Sequence, residues 1–459
     1  MKEKRIAPNN NPLLFTIVFF VSVVYWVYHG YVSQMVIVQD AETFRALGET
    51  IKNNGLHALI EQGTDREPFY PLIISFALRA SEILGASYQD IQKFIQIGFL
   101  FLAQILLYLT LKKLNIRPWL IAATLLYFAI SPAVLNSALS LWSEAVTYPF
   151  VLGTILLVLK IRQKLSSALL LGLCFIPLVF TKTAFEYIVW LFFLYLIILI
   201  ITQFRKGTAF PKKILGALII FFVVYSLPVH LYKSTNQKYH GTYAITSRSN
   251  LMLYGNAHFR TEPLTSDKFS GLIQSIPGNP LEISAATDGA GYAKMNKLKE
   301  KGLSAPQANR EMLKSSFQEI LRNPFQYFFL TAMQGLHMFF WESATIGFVV
   351  YPSWLEKIYN LAGIVNPLRY GIALLTLSAL LFTLYTLWRR RKKIFRDEAA
   401  TILFFTSIIL ISYIGLHSVI TVLTRYILPI VPLYLIILAY FFDEMVAKSG
   451  GKSTAGKKA

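Results

Sequence analysis

The chain has 459 residues, of which 55% are hydrophobic, 15% aromatic and 15% charged, and its mean hydropathy is +0.50. Repeated long apolar runs exclude a soluble domain and make this an all-α polytopic membrane protein. The formal net charge of +20 does not imply nucleic acid, because the basic residues cluster at the ends of apolar runs or in one polar loop, where membrane orientation and anionic lipid account for them. Cys174 is the single cysteine, so no intrachain disulfide forms and thiol chemistry is not expected.

In chain order, MKEKR precedes an apolar span running from Leu13 to Val38. It is too long for a signal-peptide core and carries no small-residue cleavage site, so it reads as an uncleaved first helix with its N-terminus inside. Further spans fall at 91–111, 119–135, 145–161, 165–181, 184–204, 214–232, 367–388, 399–420 and 426–442, ten in all. If the chain alternates across the membrane, Lys112, Lys113 and Arg117, then Lys160, Arg162 and Lys164, then Arg205, Lys206, Lys212 and Lys213, and finally RRRKK at 389–393 all face the cytoplasm. Two apolar stretches break that alternation. Residues 69–84 carry Arg79 and Glu82 and read as an in-plane or re-entrant helix, and residues 328–350 read as interfacial, re-entrant or half of a hairpin.

The resulting plan is an N-terminal transmembrane module (1–232) whose first external loop covers 39–90. An external polar segment (233–325), a second transmembrane module (326–447) and a lysine-rich tail (448–459) follow. Within the polar segment, Ser304 with Gln307 resembles a capping box, and Leu313, Phe317, Ile320 and Leu321 line one face of the helix it opens, which Asn323-Pro324 stops.

Unusual charges sit where spans meet the outside. VQDAETFRALGETIKNNG (38–55) follows the first span, so Asp40 is the first charge met on leaving the membrane. Phe44, Leu47 and Ile51 then recur at helical spacing among charges, the pattern of an interfacial helix. DREPFYP (65–71) places Arg66, Glu67 and Tyr70 before the next apolar helix, LWSEAVTYP (141–149) puts Glu144 at the outer end of a span, and FTKTAFEY (180–187) puts Lys182 in the break between two runs. Taken singly, each is explained as a helix-starting or snorkelling residue. Together they place carboxylates and cations on one membrane face, where isolated charges are costly and mark function.

These stretches resemble the GT-C glycosyltransferases, and among them the lipid A aminoarabinose transferases and protein O-mannosyltransferases. DAETF (40–44) is similar to that superfamily's acidic first external loop, REPFYPL (66–72) to its following Pro-aromatic segment, and SEAVTYP (143–149) to its second-loop acidic site. FTK (180–182) is similar to the Thr-Lys at its fifth helix, and TRYILPIVP (424–432) to a late Arg-Tyr-x-x-Pro pattern. The likeness covers roughly residues 10–230 with an echo near the end. Two positions depart from it: the first loop reads Asp-Ala-Glu, and the second-loop acid is Glu144 rather than Asp.

The resemblance implies a GT-C-like bundle of about 10–12 transmembrane helices, with in-plane helices in the first external loop. It also implies inverting transfer of a sugar from a polyprenyl-phosphate donor to a lipid, glycan or protein acceptor, outside a bacterial-type cytoplasmic membrane. Asp40 would be the general base, and Glu144 would position the acceptor or Asp40, or hold a cation. Arg66, Lys182 and Arg425 would meet the carrier phosphate, with Glu67, Tyr70 and Tyr426 beside them. None of the seven histidines has zinc-motif spacing, so a divalent metal has no motif behind it. GGKST (450–454) ends like a phosphate loop but has Val446 where the first glycine belongs. Two other classes compete. A lipid-linked polysaccharide polymerase or ligase would use Arg248, His258 and Arg260 of the large loop, and a secondary transporter would need charges near mid-bilayer.

Overall fold

The computed structural model describes residues 12–62, 66–205, 212–246, 248–275, 281–342, 348–359 and 362–455. Helix α1 (Pro12–Val32) ends before the apolar run does, at Val32 rather than Val38. Val36, Ile37 and Val38 are β-branched and favour extended backbone. Lys93 closes the helix end by donating to the carbonyls of Gly30 and Ser33 at 2.7 Å each. Beyond it β1 (Gln34–Met35) pairs antiparallel with β2 (Val349–Val350), a small exception to the all-helical expectation.

Helix α2 (Asp40–Gln62) breaks helical geometry at Gly55, whose φ is 81°. It buries Phe44 and Ile51 of the face that its spacing predicts, with Leu47 half-buried, and Ala41 and Leu59 besides. Helix α3 (Phe69–Leu84) packs back on α2, and a Cβ on Gly48 would stand 2.6 Å from Ile74 at the crossing. This pair shares a small core with Met35, Leu141 and Val146.

Helix α4 (Tyr88–Lys113) is followed by α5 (Pro118–Ile130) and α6 (Pro132–Leu139), one apolar run bent by 46° at the Ser131–Pro132 junction. The bend unpairs backbone groups that find other partners: Trp26 Nε1 donates to the Ala129 carbonyl at 2.9 Å, and the Ala133 N–H donates to Glu342 at 3.0 Å. Next come α7 (Glu144–Lys160), α8 (Leu165–Val179), α9 (Ala184–Phe204) and α10 (Lys212–His240). The polar segment is a layer of helices: α11 (Arg248–Thr261), α12 (Ser266–Ser275), α13 (Leu281–Glu300), α14 (Ala305–Arg322) and α15 (Pro324–Gly335). Then come α16 (Ser353–Tyr359), α17 (Ala362–Arg389), α18 (Glu398–Ile420), a 3-10 turn over Thr424–Ile430 and α19 (Val431–Ala455).

Among the described residues seven helices are long and apolar enough to cross a membrane, and the bent α5–α6 pair would make an eighth. This is an all-α, multi-pass membrane protein. The difference from ten spans lies in α7 and α8, with 17 and 15 residues, short of the ~20 a straight crossing takes. Of the stretch 328–350, residues 343–347 lie outside the described residues; before them α15 stops at Gly335 and a 3-10 turn over Leu336–Phe339 follows, so 328–342 is not one straight helix.

In α14 the capping box forms, with the Ser304 N–H donating to Gln307 Oε1 at 2.9 Å. The apolar face lies outwards: Leu313 is 38% exposed, Phe317 54% and Leu321 75%, with Ile320 half-buried, while Ala308, Met312, Ser315 and Ser316 are buried.

Charges gather at the two ends of the bundle. At the C-terminal end of α4, Lys113 pairs with Glu398 at 2.9 Å, Arg117 with Asp443 at 3.6 Å and Arg390 with Glu444 at 4.0 Å. At its N-terminal end Lys93 meets α1 just before Asp40. The 26 residues of α4 separate these ends by roughly 39 Å, more than the ~30 Å of a hydrocarbon core.

Candidate functional site

Asp40 is the first residue of α2, where the helix dipole favours a carboxylate. The chain turns into it through Gln39, which has a φ of 53°. Both of its oxygens are taken: Arg66 donates to Oδ1 and Arg425 to Oδ2. Arg66 leaves the segment before α3 and lies over the Phe44 ring, 5.5 Å from its centroid. Arg425 comes from the 3-10 turn before α19 and is held between Trp142 and Tyr426, at 5.1 and 5.4 Å from the ring centroids. Burial alone would raise the Asp40 carboxyl, but Arg425 and Arg66 outweigh it and, with Arg248 farther off, hold it at about 2.

Glu144, first in α7, is buried and accepts from Lys182 Nζ at 2.8 Å. Lys182 is available there because the chain breaks between α8 and α9, and its ammonium also lies 5.8 Å from the Tyr426 ring. Glu67 fixes the same break by accepting from the Thr183 N–H at 3.2 Å and from the Thr183 hydroxyl at 3.3 Å. Stretches near residues 40, 66, 144, 182 and 425 thus meet around one cavity, lined by Asp40, Arg66, Glu67, Glu144, Lys182, Arg425 and Tyr426 among others. Tyr70 is the exception. It is fully buried, donates to Gln96 at 2.6 Å and packs edge-on to Phe44, so it supports the α2–α3 pair and does not line the cavity.

The cavity also contains residues that the motifs did not single out. Arg248, at the start of α11, reaches in from the polar segment with Asp288 of α13 at 3.6 Å behind it. Arg260 and His258 do not join it. Arg260 is buried against Gln334, Thr331 and the Val419 carbonyl, and His258 stands between Glu262 and Glu319. His417 of α18 lies between Tyr413 and Tyr426, with ring centroids at 4.5 and 5.1 Å. Both His417 ring nitrogens are buried and have no hydrogen-bond partner among the described residues. Its one sequence signal is a polar ring near the end of an apolar run. One side of the wall is apolar, formed by Ala184 and Tyr187 of α9 and by Leu416 and Ile420 of α18.

Four cations (Arg66, Lys182, Arg248, Arg425) stand against three carboxylates (Asp40, Glu67, Glu144) in the described lining. No protein-family model and no curated protein matches the chain. The chemistry of the cavity therefore carries the functional reading. Among the described residues no three His, Cys, Asp or Glu side chains converge to hold a metal ion. What the site offers is a cationic cradle for an anion beside carboxylates that can position or deprotonate a hydroxyl.

Proposed function

We propose that the chain is an inverting membrane glycosyltransferase of GT-C type that moves a sugar from a polyprenyl-phosphate carrier to a lipid, glycan or protein hydroxyl. The observation that carries this reading is the meeting of Asp40, Arg66, Glu144, Lys182 and Arg425 in one cavity with an apolar side formed by α9 and α18. A polar head and a hydrocarbon chain on one substrate suit that combination. Arg66 and Arg425, which share the single carboxylate of Asp40, suit a phosphodiester, which carries a single negative charge.

In the reaction the acceptor hydroxyl attacks the anomeric carbon from the face opposite the phosphate. The new C–O bond forms as the bond to the phosphate oxygen breaks, the hydroxyl proton passes to Asp40, and the electron pair leaves on polyprenyl phosphate. Asp40 held at about 2 is a weak base. Carrier phosphate competing for Arg66 and Arg425 would release the carboxylate and strengthen it, so donor binding prepares the base. Glu144 and Lys182 hold each other beside that centre, and Lys182 would lean from Glu144 toward the phosphate when it arrives.

The clustering of Lys113, Arg117 and Arg390 at the opposite end supports a reading with that end in the cytoplasm and the cavity outside. Arg248 favours one further reading, a lipid-linked polysaccharide polymerase or ligase, because the large loop delivers it to the same cavity. Product size separates the two, since a transferase adds one sugar and a polymerase extends a glycan.

Binding of polyprenyl phosphate to the purified protein tests the phosphate assignment. Arg425→Ala and Lys182→Ala should each weaken it, and Arg425→Lys should restore it only in part because the planar fork is lost. Unchanged affinity in both alanine variants would remove the assignment.

A further inference from the structure

Helices α14 and α15 are built inside-out. On α15 the side turned into the protein carries Tyr327, Leu330, Thr331 and Gln334, whereas the outward side is apolar: Phe325 is 90% exposed, Phe328 61% and Phe329 52%. On α14, on the other side of the break at Asn323, Leu313, Phe317 and Leu321 are exposed too and, four residues apart, share one helical face. An exposed apolar row of this length on a polar segment requires a partner.

Its position in the fold indicates which. Helix α15 lies against the last turn of α18, a membrane-spanning helix: Tyr327 Oη donates to the Val419 carbonyl at 3.1 Å, and a Cβ on Gly335 would stand 2.8 Å from Ser418. The outward side of α15 is therefore continuous with the lipid-facing surface of the spanning helices. Arg310, Lys314 and Arg322 are exposed around the row, at the height where headgroup phosphates would meet them.

We infer that α14 and α15 are seated in the lipid leaflet at the cavity end of the bundle, with Leu313, Phe317, Leu321, Phe325, Phe328 and Phe329 in hydrocarbon. The consequence reaches the cavity. The inner side of α15 grips Arg260 of α11 through Gln334 Oε1 at 2.8 Å and Thr331 Oγ1 at 2.9 Å, and α11 begins at Arg248. The leaflet thus sets the height at which α11 delivers Arg248.

The full-length protein with Cys174→Ser can carry single spin labels at Phe317→Cys, Phe325→Cys and Phe329→Cys in lipid nanodiscs. Phe20→Cys on α1 serves as lipid control and Lys299→Cys on α13 as water control. Collision with oxygen should exceed collision with a water-soluble nickel chelate at the three test sites, as at position 20, with the ratio several-fold above that at position 299. Nickel-dominated collision at 317 and 325 would overturn the inference. So would protection from both reagents with broadening between labels, which would mean that a second copy covers the face. Wild-type protein labelled by a phosphatidylcholine with a photoreactive acyl chain gives a check free of substitutions: adducts should map to residues 313–329 as well as to α1. Adducts on α1 with none on 313–329 would also overturn it.

Discussion

At Asp40 one carboxylate has two duties, base and shared counter-ion of Arg66 and Arg425. Asp40→Asn should lower transfer by about 100- to 10,000-fold and, because two guanidinium groups lose their common anion, should also lower the melting temperature. Added polyprenyl phosphate should then stabilise the variant more than the wild type, and equal shifts would mean that the arginines are not its seat. Since the folded protein holds Asp40 at about 2, below the ordinary carboxylate value, its stabilising effect is full above roughly pH 4 and disappears as pH falls toward 2. Melting measured across that window should show wild type and variant converging as the solution becomes more acid. His417→Phe keeps the ring between Tyr413 and Tyr426 but deletes both nitrogens. If His417 reads the sugar, kcat/KM for the sugar-linked carrier should fall by about 1–3 kcal/mol in transition-state terms, with binding of bare polyprenyl phosphate unchanged; parallel losses in both would make it a packing residue. Asp40, Arg66, Glu144, Lys182 and Arg425 were legible in the sequence because a charge bordering an apolar run is costly and conspicuous. His417 was not, since one imidazole within a run has no spacing to announce it, and Arg248 becomes visible as a lining residue only once the polar segment is folded over the cavity.

Among the elements, α11 and α13 are pressed together through glycine: a Cβ on Gly255 would stand 1.9 Å from the Thr287 carbonyl oxygen. Gly255→Ala should force the pair apart, costing about 1–3 kcal/mol of stability and reducing activity through the displaced Arg248. Unchanged melting and turnover would show that the layer yields without consequence. The outcome at α14 shows what periodicity conveys. A period of 3.6 finds the apolar face of a helix but not the neighbour of that face, and at a membrane surface hydrocarbon can lie outside the protein as well as within it. In α2 the same pattern turned inwards, because α3 lies there to receive Phe44 against Tyr70. The end of α1 depended on Lys93, about sixty residues away in sequence, which no local pattern conveys.

For the whole molecule, composition and run length gave the helical membrane class, while the number of crossings depended on packing. Sheltered within the bundle, α7 is buried from Glu144 to Pro149 and is not required to reach both surfaces in one straight helix. The gathering of charges at two ends makes topology testable. Cysteine labelling from each side of the membrane should find positions 40, 66, 144, 182 and 425 on the external face and positions 112 and 390 inside; positions 144 and 182 on opposite faces would break the shared cavity. The most direct measurement is the release of polyprenyl phosphate from sugar-linked carriers by the purified protein, with Asp40→Asn in parallel. The expected result is release coupled one-to-one to glycosylated acceptor in the wild type and its loss in the variant. Movement of intact carrier or sugar across the membrane with no release, or release that Asp40→Asn leaves unchanged, would contradict the transferase reading.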